Sequence, residues 1–406
     1  MTEDIDKDTY SELRSTYQNY IDSYTALYQL KTDKEEEELN TIYKMIKTNL
    51  IDSKMCLPKK MVKEILNIIP CNNRYTYSYL KLVKFIFDDY HVTGVTGINQ
   101  LYNFLFYKEY GINLCNTEKK FEISKNNDID IHSENTIYRA IMDDNKEKFI
   151  IFTEAEGFDK DQKINSSFFP ISFIRVSLLD LCCYYGAVDC FKLLRTKFKS
   201  EITQTCLDFS FLGGNKEIMS ECLKYRKPNE NCMSYAIISH NIDFVTFLMN
   251  EYNLEIDLHL CGCYNNLESF LVYFDQFAKV DECFIYSGMF NIPSLCEYFL
   301  SNGANINAKD RDGITNLHFA VERECIEIVE FLISRGANIN EKDNLGKSIL
   351  HYTANNFNKE LAELLLSHGA NVNEKDDHGR TSLYWAVYYK NKEIVELLQS
   401  HGATIP

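Results

Sequence analysis

An all-α solenoid of stacked helix pairs is the fold this sequence predicts, and three observations carry the prediction. The last hundred residues repeat with a period of 33, a fainter period of 25 to 28 residues runs upstream, and apolar residues follow helical spacing from the N-terminus onward. Gly303-Ala304-Asn305-Ile306-Asn307 returns as Gly336-Ala337-Asn338-Ile339-Asn340 and as Gly369-Ala370-Asn371-Val372-Asn373, then fades out at Gly402-Ala403-Thr404. Gly313, Gly346 and Gly379 keep the same step, as do Asp310, Asp343 and Asp376. Two fixed glycines and an aspartate at a constant interval mark one supersecondary unit stacked on copies of itself.

Each residue type in the unit has a local reason. Asp310-Arg311-Asp312-Gly313 is turn chemistry, with glycine supplying positive φ and aspartate capping the bend. Thr315 is placed to N-cap a short helix carrying Leu317, Ala320 and Val321 on one face. Ile326, Ile328, Val329, Phe331, Leu332 and Ile333 form the stripe of a second helix, which Gly336 ends as a C′ glycine. In the following unit Leu364 is expected in the core. Helices this short are marginal in water, so each must bury its stripe against the next unit.

Thr315-Asn316-Leu317-His318-Phe319-Ala320 and Ser348-Ile349-Leu350-His351-Tyr352-Thr353 resemble the ankyrin T-P-L-H-x-A signature, and Thr381-Ser382-Leu383-Tyr384-Trp385-Ala386 keeps its shape without the histidine. All three copies lack its proline, with Asn316, Ile349 and Ser382 in that place. The resemblance implies β-turn fingers in the C-terminal part and a concave face that grips partners through finger tips and exposed first-helix positions. The matching positions are Arg311, Asp312, Ile314, Glu322 and Arg323; Asn344, Leu345, Lys347, Asn355 and Asn356; and Asp377, His378, Arg380, Tyr388 and Tyr389. It also implies that His318 and His351 are structural groups tying neighbouring turns, with the Tyr384 hydroxyl available at the same place. Tyr388 and Tyr389 admit two readings, interface anchors or a shield over the last core layer. Trp385 is expected to pack.

Upstream, Tyr17, Ile21, Tyr24 and Tyr28, then Leu39, Ile42, Met45 and Ile46, follow helical spacing, and Glu35 to Glu38 suit a solvated helix start. Pro58 opens a helix that Pro70 ends. Thr93-Gly94-Val95-Thr96-Gly97 is expected as a turn between helices, and the polar stretch Asn116 to Asn135 as a linker. Beyond it, the corner that opens the second helix of each strong unit (Asn358-Lys359-Glu360, Asn391-Lys392-Glu393) recurs at Asn145, Ala187, Asn215, Asn241, Asn266 and Asn291. From Ala187 the steps are 28, 26, 25 and 25 residues, short by about one finger, and an insertion near Glu156 to Pro170 interrupts the series. The organisation expected is a helical region with linker over 1–133, trimmed helix pairs over 134–279 and ankyrin repeats over 280–406. That layout is similar to large protozoan families of ankyrin-repeat proteins whose upstream region has no assigned function.

Composition narrows the function. A formal charge of −16 and a pI near 5.1 exclude a phosphate-backbone partner, since nucleic-acid affinity rests on Lys and Arg; a basic protein surface fits better. Met1 to Asp6 is acidic with no apolar core of a secretory signal, and no run approaches 18 apolar residues, so an intracellular, cytoplasmic protein without membrane insertion is expected, the nucleus being open. In that compartment the fourteen cysteines are expected as small packed residues. No Walker A, GxGxxG, GxSxG or HExxH motif occurs, and His259 with Cys261-Gly262-Cys263 lacks the second ligand pair of a zinc site. The expectation is a monomeric, non-catalytic protein-binding scaffold without cofactor or metal. The alternative is an adaptor whose N-terminal helices recruit machinery, a ubiquitin ligase or the cytoskeleton, to a client held by the repeats.

Overall fold

A proline at the first position of a helix loses no hydrogen bond, and one near its end stops the ladder. Pro58 accordingly opens the helix Pro58–Ile68, and Pro70 lies in the 3₁₀ turn Ile69–Cys71 that closes it. Capping chemistry of this kind sets most boundaries along the chain. The computed structural model describes residues 9–32, 36–115, 131–170, 175–356 and 358–404. Residues 116–130 of the expected linker, the expected signal-free start, Glu35 and the side chains of Asn355 and Asn356 lie outside the described residues. Among those described, 24 α-helices account for nearly all regular structure. The exceptions are the π-helical turn Lys47–Ile51, three 3₁₀ turns, a short antiparallel pair, Lys163–Ile164 with Val176–Ser177, and two isolated bridges at the fingers. The first strand lies within the expected insertion and the second just after it, where the helix-pair period is interrupted.

Two packing units are present: Tyr17–Ser269, and Met1–Thr16 with Phe270–Pro406. The first begins with the helices Gln18–Tyr28, Glu36–Ile46, Pro58–Ile68, Thr76–Tyr90 and Gln100–Tyr110. Thr93 to Gly97 lies in the connection between the last two, as expected. Helix pairs follow: Ile137–Met142 with Lys146–Glu154, Leu178–Tyr185 with Val188–Thr196, Gln204–Gly213 with Lys216–Leu223, and Glu230–Ile238 with Ile242–Tyr252. Leu258–Cys263 leads into Leu267–Phe277, where the division between units falls.

Within each pair the turn is built the same way. One residue takes positive φ, as Asp144, Gly186, Gly214, His240 and Asn265 do, and the next caps the second helix. Asn145, Asn215, Asn241 and Asn266 accept the N–H of the residue three ahead through their Oδ1. Ala187 has no such oxygen, and the Asp144 carboxylate of the preceding pair accepts from Asp189 and Cys190 N–H in its place, at 3.1 and 3.0 Å. Gly213 is dictated by packing, because a Cβ there would come within 2.7 Å of the Tyr184 carbonyl.

Most of the cysteines are buried, as expected of small packed residues, and two of them also hydrogen-bond to carboxylates. Cys206 donates to Asp180 at 3.0 Å and Cys232 to Asp208 at 3.1 Å. Each thiol thus adds to the hydrogen bonds of a buried carboxylate that Thr203 and Gln204, respectively, also serve.

The other unit stacks Val280–Ser287 with Pro293–Ser301, Asn316–Glu322 with Ile326–Ser334, Ile349–Asn356 with Lys359–Ser367, and Ser382–Tyr388 with Lys392–Ser400. Here the connections Ser301–Asn316, Ser334–Ile349 and Ser367–Ser382 carry the fingers, and these full pairs follow the trimmed ones along the chain. The GA-N-x-N tail forms a ladder. Asn307 Oδ1 accepts the N–H of Asn338, Asn340 that of Asn371, and Asn373 that of Thr404, each at 2.9 Å.

One expectation about the core is corrected. Leu365 and Leu361 are buried, whereas Leu364 is only half-buried. The run Leu364-Leu365-Leu366 wraps the helix, and period alone does not say which leucine faces inward.

The fingers also make a glycine prediction specific. Gly346 (φ +71) would carry a Cβ 2.9 Å from Asp377 N, while Gly369 (φ +89) has nothing within 4 Å. Gly369→Ala should cost about 1 kcal/mol from backbone strain alone, and Gly346→Ala about 1 to 3 kcal/mol more from overpacking. Urea unfolding of the full chain checks this, and equal costs would contradict the finger contact.

Candidate functional site

Each finger hangs on one aspartate. Asp310 Oδ1 accepts the N–H groups of Asp312 and Ile314, Asp343 Oδ1 those of Leu345 and Lys347, and Asp376 Oδ1 those of His378 and Arg380, all at 2.8 to 2.9 Å. The second oxygen binds the inner helix: Tyr352 donates to Asp343 at 2.8 Å and Trp385 Nε1 to Asp376 at 3.2 Å. Burial alone would raise the Asp376 carboxyl. The hydrogen bonds from Arg380, Trp385 and His378 reverse that and hold it at about 2.

On this frame Arg311, Asp312, Glu322, Asn344, Leu345, Asp377, His378, Tyr388 and Tyr389 are exposed, and Ile314, Arg323, Lys347 and Arg380 are half-buried. Some are already engaged inside the array. Asn344 Nδ2 donates to the Arg311 carbonyl at 2.8 Å, and Arg380 pairs with Asp376 at 2.8 Å.

The open part of the surface is aromatic. Tyr388 is 64% exposed, Tyr389 39% and Tyr384 40%, with Val387 at 50% and Leu345 at 56%. Trp385, half-buried against the last core layer, stacks on Tyr389 at 5.9 Å and lies under the Arg380 guanidinium at 4.3 Å. Tyr388 and Tyr389 meet edge to face, 5.3 Å between centroids and 80° between planes. Arg380 and Asp376 fix the ring of Trp385, and Trp385 in turn supports the tyrosines. Tyr384 is expected from the sequence only to offer a hydroxyl in place of the histidine, and Val387 goes unremarked because the ankyrin pattern does not distinguish it; an apolar residue on both sides of a seven-residue helix is the signal that marks both.

A related row occurs in the unit Tyr17–Ser269. The residues just before three of the positive-φ corners, Tyr184-Tyr185, Leu212-Gly213 and Ile238-Ser239, line a groove of about 230 Å³ together with Tyr28, Asn72 and Arg74 of the N-terminal helices, and Tyr264, before a fourth, meets Tyr28 edge to face. Tyr28 stacks on His240 at 4.2 Å, and Gln29 donates to the His240 carbonyl at 2.8 Å. These contacts join residues more than two hundred positions apart, and no local pattern announces them. Among the described residues, no group of three or more His, Cys, Asp or Glu is placed to hold a metal ion. His259 and Cys263 come within 3.8 Å, a single pair. No helix among them is long and apolar enough to cross a membrane.

Comparison with known families agrees with this geometry. Residues 258–343 and 336–406 match the family described as ankyrin repeats (3 copies). Residues 198–273, the later part of the trimmed pairs, match a domain of unknown function, DUF3447. The two overlap over Leu258–Tyr273, so the ankyrin match begins within the trimmed series. No curated protein matches the chain.

The repeated histidines sit where a structural role requires. His351 Nδ1 accepts from Ser348 N–H at 3.0 Å while Nε2 meets the Arg380 carbonyl, also at 3.0 Å, tying one turn to the next. His318 Nδ1 lies 2.8 Å from the Thr315 hydroxyl, and its ring meets Tyr352 edge to face. Tyr384, at the matching position, is exposed instead. Burial lowers His318 to about 4, and lowers His351 as well. The folded state therefore keeps these rings neutral where the unfolded chain protonates them. Their contribution is intact above the unfolded value near 6.5 and is lost as pH falls through the lowered folded values, for His318 down to about 4 at about 1.4 kcal/mol per pH unit. Urea midpoints measured from pH 7 to 4.5 should fall accordingly, and His318→Asn should flatten the slope by about one proton.

Proposed function

The chain is an ankyrin-repeat protein over residues 258–406 with a helical region upstream, and on that premise we propose that it works as a non-catalytic scaffold docking another protein on the finger-and-inner-helix face of Gly303–Thr404. The exposed cluster of Tyr384, Tyr388 and Tyr389 around Trp385 carries this reading. Tyrosine and tryptophan combine large contact area with little rotamer entropy, and they dominate interface energetics. Here the rings are pre-positioned by Trp385 and by hydrogen bonds that run back to Asp376, so little ordering remains when a partner docks. The net charge of −16 favours a partner with a basic surface. Monomeric behaviour and an intracellular, cytoplasmic setting belong to the same proposal.

The adaptor alternative would need the N-terminal helices to offer a surface of their own. Much of that surface is in use: Tyr20 donates to Asn265, Tyr28 stacks on His240, and Arg74 donates to the Tyr185 carbonyl.

Capture from native extract by the immobilised full chain tests the scaffold reading. Tyr388→Ala combined with Tyr389→Ala should weaken retention of the partner by about 30-fold, roughly 2 kcal/mol, with the melting temperature unchanged. Leu365→Ala is the contrasting control, destabilising by about 2 to 5 kcal/mol through a core cavity. An unchanged captured set in the double variant would remove the tyrosines from the interface.

A further inference from the structure

The chain holds an internal example of what a tyrosine pair at this register does. Counting back from the capping residue of the second helix, Tyr388-Tyr389 before Lys390 and Asn391 occupies the place of Tyr184-Tyr185 before Gly186 and Ala187. The backbone agrees: Lys390 has φ +58 and Gly186 φ +65. The rings agree as well, since Tyr184 and Tyr185 also meet edge to face, with centroids 4.8 Å apart and planes at 85°. The difference lies in what covers them. Tyr184 and Tyr185 are buried to 4% and 7% exposure, whereas Tyr388 and Tyr389 are open.

The upstream pair is covered by the corner between Pro58–Ile68 and Thr76–Tyr90. Tyr184 hydroxyl donates to the Pro70 carbonyl at 2.7 Å and accepts from Asn73 N–H at 3.2 Å. Tyr185 hydroxyl donates to Asn73 Oδ1 at 2.7 Å. Arg74 donates to the Tyr185 carbonyl at 2.8 Å and lays its guanidinium 5.5 Å from the ring centroid. One turn between two helices thus meets both phenols with a carbonyl and an asparagine amide, and meets the second ring with an arginine.

We propose that Tyr388-Tyr389 takes the same kind of ligand from a partner protein: a helix-to-helix corner presenting a free carbonyl, an asparagine and an arginine. This rests on the docking reading above and specifies its chemistry. The exposed phenols supply one donor and two acceptor sites each, matching a carbonyl and an amide. The ring faces suit a planar guanidinium better than a compact ammonium. Arg380 does not compete for that place, because it is paired with Asp376 and sits over Trp385. An arginine-bearing corner also suits an acidic chain.

The test is a displayed library of two-helix hairpins with five randomised corner residues, selected on the full chain and counter-selected on the Tyr388→Ala, Tyr389→Ala variant. Trp385 is the only tryptophan in the sequence, so its emission reports docking at this patch. Enriched corners should carry Asn and Arg, shift the Trp385 emission, and lose at least tenfold in affinity when that Arg becomes Lys. Corners that depend on the tyrosines but lack Asn and Arg would overturn the inference and leave the docking reading standing. Self-association of the chain abolished in the double variant would also overturn it, assigning the pair to a second copy. A selection in which nothing depends on the tyrosines would remove both.

Discussion

The corner between the paired helices, one residue at positive φ followed by a capping residue, is the constraint on which the other contacts depend. It fixes where the second helix starts and which way it leaves the first, so both apolar stripes of a pair face the same neighbours. The capping asparagine also reaches backward. Asn266 Nδ2 donates to the Ile237 carbonyl at 2.7 Å and Asn391 Nδ2 to that of Ala354 at 3.3 Å, so one side chain starts its own helix and fastens the pair to the previous one. Among the described residues six corner residues with positive φ, Asp144, His240, Asn265, Asn291, Glu324 and Lys390, are not glycine, and each accepts a backbone conformation that costs its side chain something. Stacking makes up that cost, which is why the pattern survives where the fingers do not.

This also explains what could be seen in the sequence. The fingers announce themselves because Asp310, Asp343 and Asp376 bind their own turns, a contact of two to four residues, and the glycines are set by φ. The trimmed pairs are visible for the same reason, since an asparagine cap is a local bond. Hidden features are those settled between distant residues: Tyr20 with Asn265, Asn73 with Tyr184, and the thiols of Cys206 and Cys232 on carboxylates a repeat away. Leu364 failed as a core residue because a run of leucines satisfies every face of a helix at once.

The candidate surface divides the same way. Its positions come from the ankyrin register, which places Asn344 and Arg380 correctly on the fingers without showing that both are already engaged by neighbouring groups. Exposure singles out the tyrosines. Between Lys309 and Glu341, and again between Lys342 and Glu374, the fingers carry ion pairs at 2.7 and 2.5 Å. These are partly exposed and of small individual worth, so the finger spacing rests on the aspartate turns and the asparagine ladder.

The ladder has a further consequence, for lineage more than for folding. Asn307, Asn340 and Asn373 each make the same bond to the following unit, at the same length, and the units that receive the first two offer the next asparagine in turn. A joint of this kind is indifferent to how many copies precede or follow it. Duplication or loss of one 33-residue segment would bring already compatible edges together, so array length can drift under replication errors without any joint being rebuilt.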